Sequence, residues 1–159
     1  VEGSIILLSS IYGLVGQDIS IYKDTKMTES MTYSVIKGGI NNFTRQMASY
    51  YGKYNIRVNS ICPGGIKEKN HNKKFVKKYL DKVPLKRFCR PSDVAANVLF
   101  LSSNASSYIT GAMIVVDGGC GEGGSGDGDA ATTCYRHPPE STAAANHLRS
   151  AAPLWEAQA

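Results

Sequence analysis

The strongest constraint on this chain is an alternation. Short apolar runs that end in serine, proline or glycine are separated by stretches of helical character. Ser4, Ile5, Ile6, Leu7 and Leu8 suit a strand buried on both faces. From about Met31 to Tyr51, Ile36, Ile40, Phe43 and Met47 recur at helical spacing and predict an amphipathic helix, with Gly52 placed as its C-terminal cap. A second strand runs from Ile56 to Ile61 and stops at Pro63-Gly64-Gly65. A basic loop from Lys67 leads into a short helix ending near Lys82. Pro91 then opens another helix, with Asp93 near its positive end and Val94, Val98 and Leu101 as its expected buried stripe. Met113 to Val116 reads as a third strand, closed by Asp117-Gly118-Gly119. This order predicts an α/β fold, an open parallel sheet with helices on its faces. Three strands are few for such a sheet, and the chain begins without Met and almost on a strand. Further strands are therefore expected ahead of Val1.

Composition narrows the class. At 159 residues there is room for one domain, and 42% hydrophobic with 19% charged residues is a globular balance. No apolar run reaches the roughly 20 residues of a membrane span. No basic start with a long apolar stretch marks a signal peptide. Cys62, Cys89, Cys120 and Cys134 show no paired spacing, so a reducing, cytoplasmic setting is expected. The net charge of +5 comes with lysines crowded between Lys67 and Lys86, without stacking aromatics on a nucleic-acid module, so no nucleic-acid partner is expected.

After Gly119 the composition changes, and residues 120–159 are expected to be a low-complexity, disordered tail in which only Ala143 to Leu148 suggests a helix. Two patterns there mislead. Gly121, Gly123 and Gly126 satisfy G-x-G-x-x-G, but Asp127-Gly128-Asp129 follows instead of the helix that would aim N–H groups at a pyrophosphate. Cys120, Cys134, His137 and His147 lack the close pair of ligands typical of zinc, and no metal is expected.

The chemistry concentrates at the strand ends. Tyr33 and Lys37 stand four apart on a predicted helix and share one face. Ser10 and Pro63-Gly64 emerge at the carboxyl ends of two strands, where open α/β sheets bind ligands. An ammonium about 4 Å from a phenolate stabilises it by roughly 4 kcal/mol at an effective dielectric of 20. Tyr33 could then serve as a general acid/base while Ser10 holds a substrate oxygen.

Four ordered motifs carry a family resemblance: Gly3-Ser4-Ile5-Ile6-Leu7-Leu8-Ser9-Ser10, Tyr33-Ser34-Val35-Ile36-Lys37-Gly38-Gly39, Ile56-Arg57-Val58-Asn59-Ser60-Ile61-Cys62-Pro63-Gly64-Gly65, and the run from Ile109-Thr110-Gly111 to Asp117-Gly118-Gly119. Over residues 1–119 the chain resembles the C-terminal half of a short-chain dehydrogenase/reductase, with a Rossmann-like, doubly wound parallel sheet whose N-terminal strands are absent. The resemblance implies NAD or NADP as cofactor and hydride transfer between an alcohol and a ketone. It implies Tyr33 as acid/base, Lys37 as the cation that eases its deprotonation and holds the nicotinamide ribose, and Ser10 as the group steadying the substrate carbonyl. Pro63, Gly64 and Ile66 match the loop facing the nicotinamide. It also implies a homo-oligomer, with the Met31–Tyr51 helix at the subunit interface.

There are departures. The interval from Ser10 to Tyr33 is longer than usual, and residues 17–32 are expected to shape a particular substrate pocket. The usual threonine after Pro63-Gly64 is replaced by Lys67-Glu68-Lys69-Asn70. The lysine-rich segment (Lys67, Lys69, Lys73, Lys74, Lys77, Lys78, Lys82) suggests either an attractor of an anionic sugar- or nucleotide-linked substrate or a solvated surface. The long connection resembles members linked to bacterial surface-sugar synthesis. A 3-oxoacyl-carrier-protein reductase-like activity is the enzymatic alternative, and a non-catalytic fragment acting as an association module is the alternative of another class.

Overall fold

A computed structural model describes residues 2–69 and 71–121. The expectations for the tail, its short helix, most of its glycine pattern and the zinc candidates Cys134, His137 and His147 lie outside the described residues.

Strands β1 (Gly3–Leu8), β2 (Ile56–Pro63) and β3 (Met113–Val116) form a parallel sheet in the order β1-β2-β3. Their succession and near-boundaries are those the apolar runs predict. The central strand is the driest element, buried from Val58 to Pro63. Its side chains alternate between faces. Ser60 and Cys62 donate to Asn41 Oδ1 on helix α1 (Met31–Tyr51). Arg57, out of phase with them, reaches the Leu101 carbonyl at 2.8 Å on helix α3 (Pro91–Ser102) and the Ser106 hydroxyl beyond it at 2.9 Å. The two helices thus cover opposite faces. Both connections step the same way across the sheet, so the crossovers have opposite hands, and one departs from the right-handed rule.

The helices start for local reasons. Ser30 caps α1 by accepting from the Tyr33 N–H, and Asn72 caps helix α2 (Lys73–Lys82) by accepting from Lys74. Pro91 occupies the first turn of α3, where Asp93 accepts from the Arg90 N–H. No helix among the described residues is long and apolar enough to cross a membrane.

Three expectations need correction. β1 is not buried on both faces: its central residues are only half-buried and Leu8 is exposed, because it forms an edge of the described sheet. On α1 the apolar stripe is not the buried face. Ile36 and Phe43 are 55% and 54% exposed and Ile40 and Met47 half-buried, whereas Asn41, Thr44 and Ala48 face the sheet. Close approach to β2 favours small groups there; Thr44 donates to the Ile40 carbonyl and Asn41 Oδ1 accepts from Ser60 and Cys62, while Asn41 Nδ2 has no partner among the described residues. On α3, Leu101 is buried and Val94 partly so, but Val98 is exposed. Gly52 does cap α1, yet in right-handed conformation. The chain turns instead at Asn55, with φ 56°, a conformation asparagine tolerates better than most residues.

Candidate active site

The carboxyl ends of β1 and β2 open on a cleft of about 490 Å³. It brings together every sequence-predicted site residue: Ser10, Tyr33, Lys37, Pro63, Gly64 and Ile66.

Ser10 follows β1 directly and is buried, and its Oγ accepts from the Tyr12 N–H at 3.2 Å to start a short 3-10 turn over Ile11–Gly13. That turn lies directly on α1. A Cβ on Gly13 would fall 2.6 Å from the Lys37 carbonyl carbon and oxygen, so only glycine permits the contact. Ser9 adds a bond from its hydroxyl to the Lys37 carbonyl at 3.0 Å. Loop and helix are therefore locked at the residue whose side chain enters the cleft.

Tyr33 stands in the first turn of α1, 40% exposed. One turn on, Lys37 Nζ sits 5.5 Å from the Tyr33 ring centroid and donates to the Leu8 carbonyl at 3.0 Å. The strand end thus aims the cation along the phenol.

The opposite wall is the loop after β2, held by its backbone. The Gly64 N–H donates to Val116 at 3.0 Å, and the Cys89 N–H donates to the Gly65 carbonyl at 2.9 Å. The Gly65 N–H donates to the buried Tyr79 hydroxyl, and a Cβ on Gly65 would fall 2.7 Å from the Tyr79 ring. Burial raises the Tyr79 phenol far above its ordinary range, so it remains a neutral prop.

Sequence reasoning assigned residues 17–32 to pocket shaping without naming side chains. Gln17, Tyr22, Thr28 and Ser30 line the cleft, together with Tyr12, Glu68 and His71. The tyrosines of the long connection were the available signal; nothing in the spacing marked His71. None of the lysines from Lys67 to Lys82 lines the cleft. Lys82 pairs with Asp18, and Lys78 reaches the Lys23 carbonyl and Asp24, so these two lysines clasp α2 to the connection. A larger hollow of about 700 Å³ beside α3 and β3 includes none of Ser10, Tyr33 and Lys37.

A parallel α/β sheet whose strand ends gather a serine, a tyrosine and a lysine over a glycine-bearing loop defines a Rossmann-like arrangement. Residues 2–121 match a family model described as enoyl-(acyl carrier protein) reductase. The chain belongs to the short-chain dehydrogenase/reductase family. It is 39% identical over 119 residues to post-translational flagellin modification protein A of Campylobacter coli, covering 75% of this chain and 46% of that protein. A 3-oxoacyl-[acyl-carrier-protein] reductase of Chlamydia trachomatis is 39% identical over 121 residues, covering 74% of this chain and 45% of the relative. A crystal structure of a Leptospira borgpetersenii short-chain dehydrogenase with bound NAD+ superposes with a TM-score of 0.66 at 40% identity, over 74% of this chain and 44% of that one. The chain spans about half the length of the curated relatives it matches.

Proposed function

We propose that the chain supplies the proton-transfer site of an NAD(P)-dependent oxidoreductase that interconverts an alcohol and a ketone, with Ser10, Tyr33 and Lys37 as catalytic residues. The supporting observation is their meeting in one cleft with the Pro63 to Ile66 loop. The donor set suits a nicotinamide nucleoside. Lys37 commits one N–H to Leu8, and an ammonium has two more for ribose hydroxyls. Pro63, Gly64 and Ile66 present a flat wall beside it. When bound, the nicotinamide accepts or supplies the hydride at the carbinol carbon.

The chain's own residues do the rest. Ser10 donates its hydroxyl proton in a hydrogen bond to the substrate oxygen and stabilises the charge that grows there on reduction. Tyr33 gives that oxygen a proton in reduction and takes it back in oxidation. Lys37, its ammonium over the Tyr33 ring at 5.5 Å from the centroid, sets a positive charge beside that exchange. The likeness to glucose 1-dehydrogenase 2 of Bacillus subtilis, 33% identical over 123 residues, supports a sugar-derived substrate. The exposed apolar residues Val35, Ile36 and Phe43 on α1, with Leu99 on α3, support self-association, and the free thiols of Cys62, Cys89 and Cys120 support a reducing, cytoplasmic setting.

The test uses a complemented enzyme, the 159 residues preceded by the N-terminal half of the Campylobacter coli relative, beside the 159 residues alone. Tyr33→Phe should cut turnover by about 10²- to 10⁴-fold and leave cofactor affinity nearly intact. Lys37→Ala should lower both. If Tyr33→Phe kept about half the activity, the acid/base assignment would be wrong.

A further inference from the structure

We infer that the cleft is built for a neutral, polyhydroxylated ring beside the proton-transfer site, with the Tyr22 hydroxyl and the His71 imidazole as its specificity-determining groups. This rests on the alcohol–ketone reading above and extends it to the substrate class.

The two groups come from distant parts of the chain and are fixed by the same buried side chain. Tyr22 closes the 3-10 turn Ile19–Ile21, and its ring centroid lies 5.8 Å from that of Phe75. His71 lies 5.2 Å from Phe75 and stacks on Phe88 at 5.6 Å. Phe75 and Phe88 belong to the buried apolar cluster beneath the cleft, while Tyr22 and His71 line the cleft itself. Their rings are thus anchored before any ligand arrives, which lowers the ordering cost of binding.

Their hydrogen-bonding groups suit alcohols. The Glu68 N–H donates to His71 Nδ1 at 3.3 Å, which leaves Nε2 as the ring nitrogen available to a ligand hydroxyl. Burial raises the phenols of Tyr12 and Tyr22 above their ordinary range, so both present an O–H at neutral pH. A hydroxyl both donates and accepts, so it can match a sugar hydroxyl in either sense. Aromatic faces beside such donors also cover the C–H faces of a ring.

Charge decides between neutral and anionic substrates. Among the described lining residues the ammonium and carboxylate groups are Lys37 and Glu68, and Lys37 is committed to the proton-transfer site. Lys78 and Lys82 are spent on the connection. An anionic group would find no unassigned cation among the described lining residues.

The complemented enzyme, saturated with oxidised cofactor, should be assayed on cyclohexanol, the cyclohexanediols and myo-inositol, and on D-glucose against D-glucuronate. We expect kcat/KM for at least one ring polyol to exceed that for cyclohexanol by about ten-fold or more, and D-glucose to exceed D-glucuronate. Tyr22→Phe and His71→Phe keep the ring packing and should each shrink the polyol preference by about five- to ten-fold, mainly through KM. His71→Gln, which restores a donor, should recover part of it. Turnover of cyclohexanol without any polyol preference, a preference untouched by both variants, or faster use of D-glucuronate would overturn this inference while leaving the alcohol–ketone reading intact. No turnover of any alcohol would overturn both.

Discussion

The two sides of helix α1 obey different rules. Toward the sheet it presents Asn41, Thr44 and Ala48, small or polar and buried, and the same stripe continues to Lys37 and Tyr33 at the cleft. Toward solvent it presents Met31, Val35, Ile36 and Phe43, all apolar and more than half exposed. Inside, proximity to β2 is what the helix needs, and a bulky side chain would push the catalytic pair away from Ser10. Outside, apolar surface of this kind makes sense only if something covers it. Helical spacing shows which residues share a face, but not which face this chain itself buries.

The same substitution on each face should break or keep the protein. Thr44 is fully buried, so Thr44→Lys must put an unpaired ammonium against β2, at a cost of about 4 kcal/mol or more in folding stability. Val35 is 74% exposed, so Val35→Lys should stay within about 0.5 kcal/mol in the isolated chain. Chemical denaturation of the two variants measures both. Sedimentation of the Val35→Lys complemented enzyme then tests whether the outer face is an interface. Equal destabilisation by the two lysines would erase the distinction between the faces.

Much of this arrangement was legible beforehand. The order of strands and helices follows from apolar runs punctuated by Ser9-Ser10, Pro63-Gly64-Gly65 and Asp117-Gly118-Gly119, which are local signals. The C-terminal bound of α1 was equally local, set by Gly52, while the Ser30 cap emerged only in the structure. The meeting of Ser10, Tyr33 and Lys37 followed from strand-end logic and the family motifs. The buried face of α1 did not follow, because a polar residue such as Asn41 is welcome inside only when β2 supplies Ser60 and Cys62. Tyr22 and His71 were invisible as a pair, since nothing in sequence joins them except their common contact with Phe75. The clasp made by Lys78 and Lys82 was not legible for a related reason: their partners Asp24 and Asp18 lie more than fifty residues earlier.

A smaller change sharpens the inner side of the comparison. Gly13→Ala adds one carbon at a point where the Lys37 backbone already stands 2.6 Å away. Backbone on both sides cannot yield as a flexible side chain would, so the turn must lift from α1. We expect a loss of about 1–3 kcal/mol in stability. In the complemented enzyme, turnover should fall more than cofactor affinity, because Ser10 moves while the Pro63 loop does not. An unchanged melting temperature together with unchanged turnover would show that this contact is not what sets the site.

The least effect is expected where α2 meets the long connection, a contact held at its rim by charge instead of by a buried polar stripe. Partial burial pushes the Asp18 carboxyl up, but hydrogen bonds from Lys82 and from the Ser20 N–H outweigh that and hold it below the ordinary carboxylate range. A depressed folded-state value means that the stability contributed by this group is fully present above the unfolded value of about 4 and is lost as pH falls through the lower folded value. Both partners are about one-third exposed, with side chains 34% and 35% accessible, so water and salt screen the pair and the contribution is small. Asp18→Asn should therefore leave stability nearly unchanged at low pH and reduce it slightly at neutral pH. The difference between the two proteins should narrow as pH drops below about 4, and also as ionic strength rises. Thermal melts of both proteins across that window at low and high salt measure it. No difference at any pH would mean that Asp18 acts through its cap on Ser20, which asparagine can also make, and that the clasp between α2 and the connection is apolar throughout.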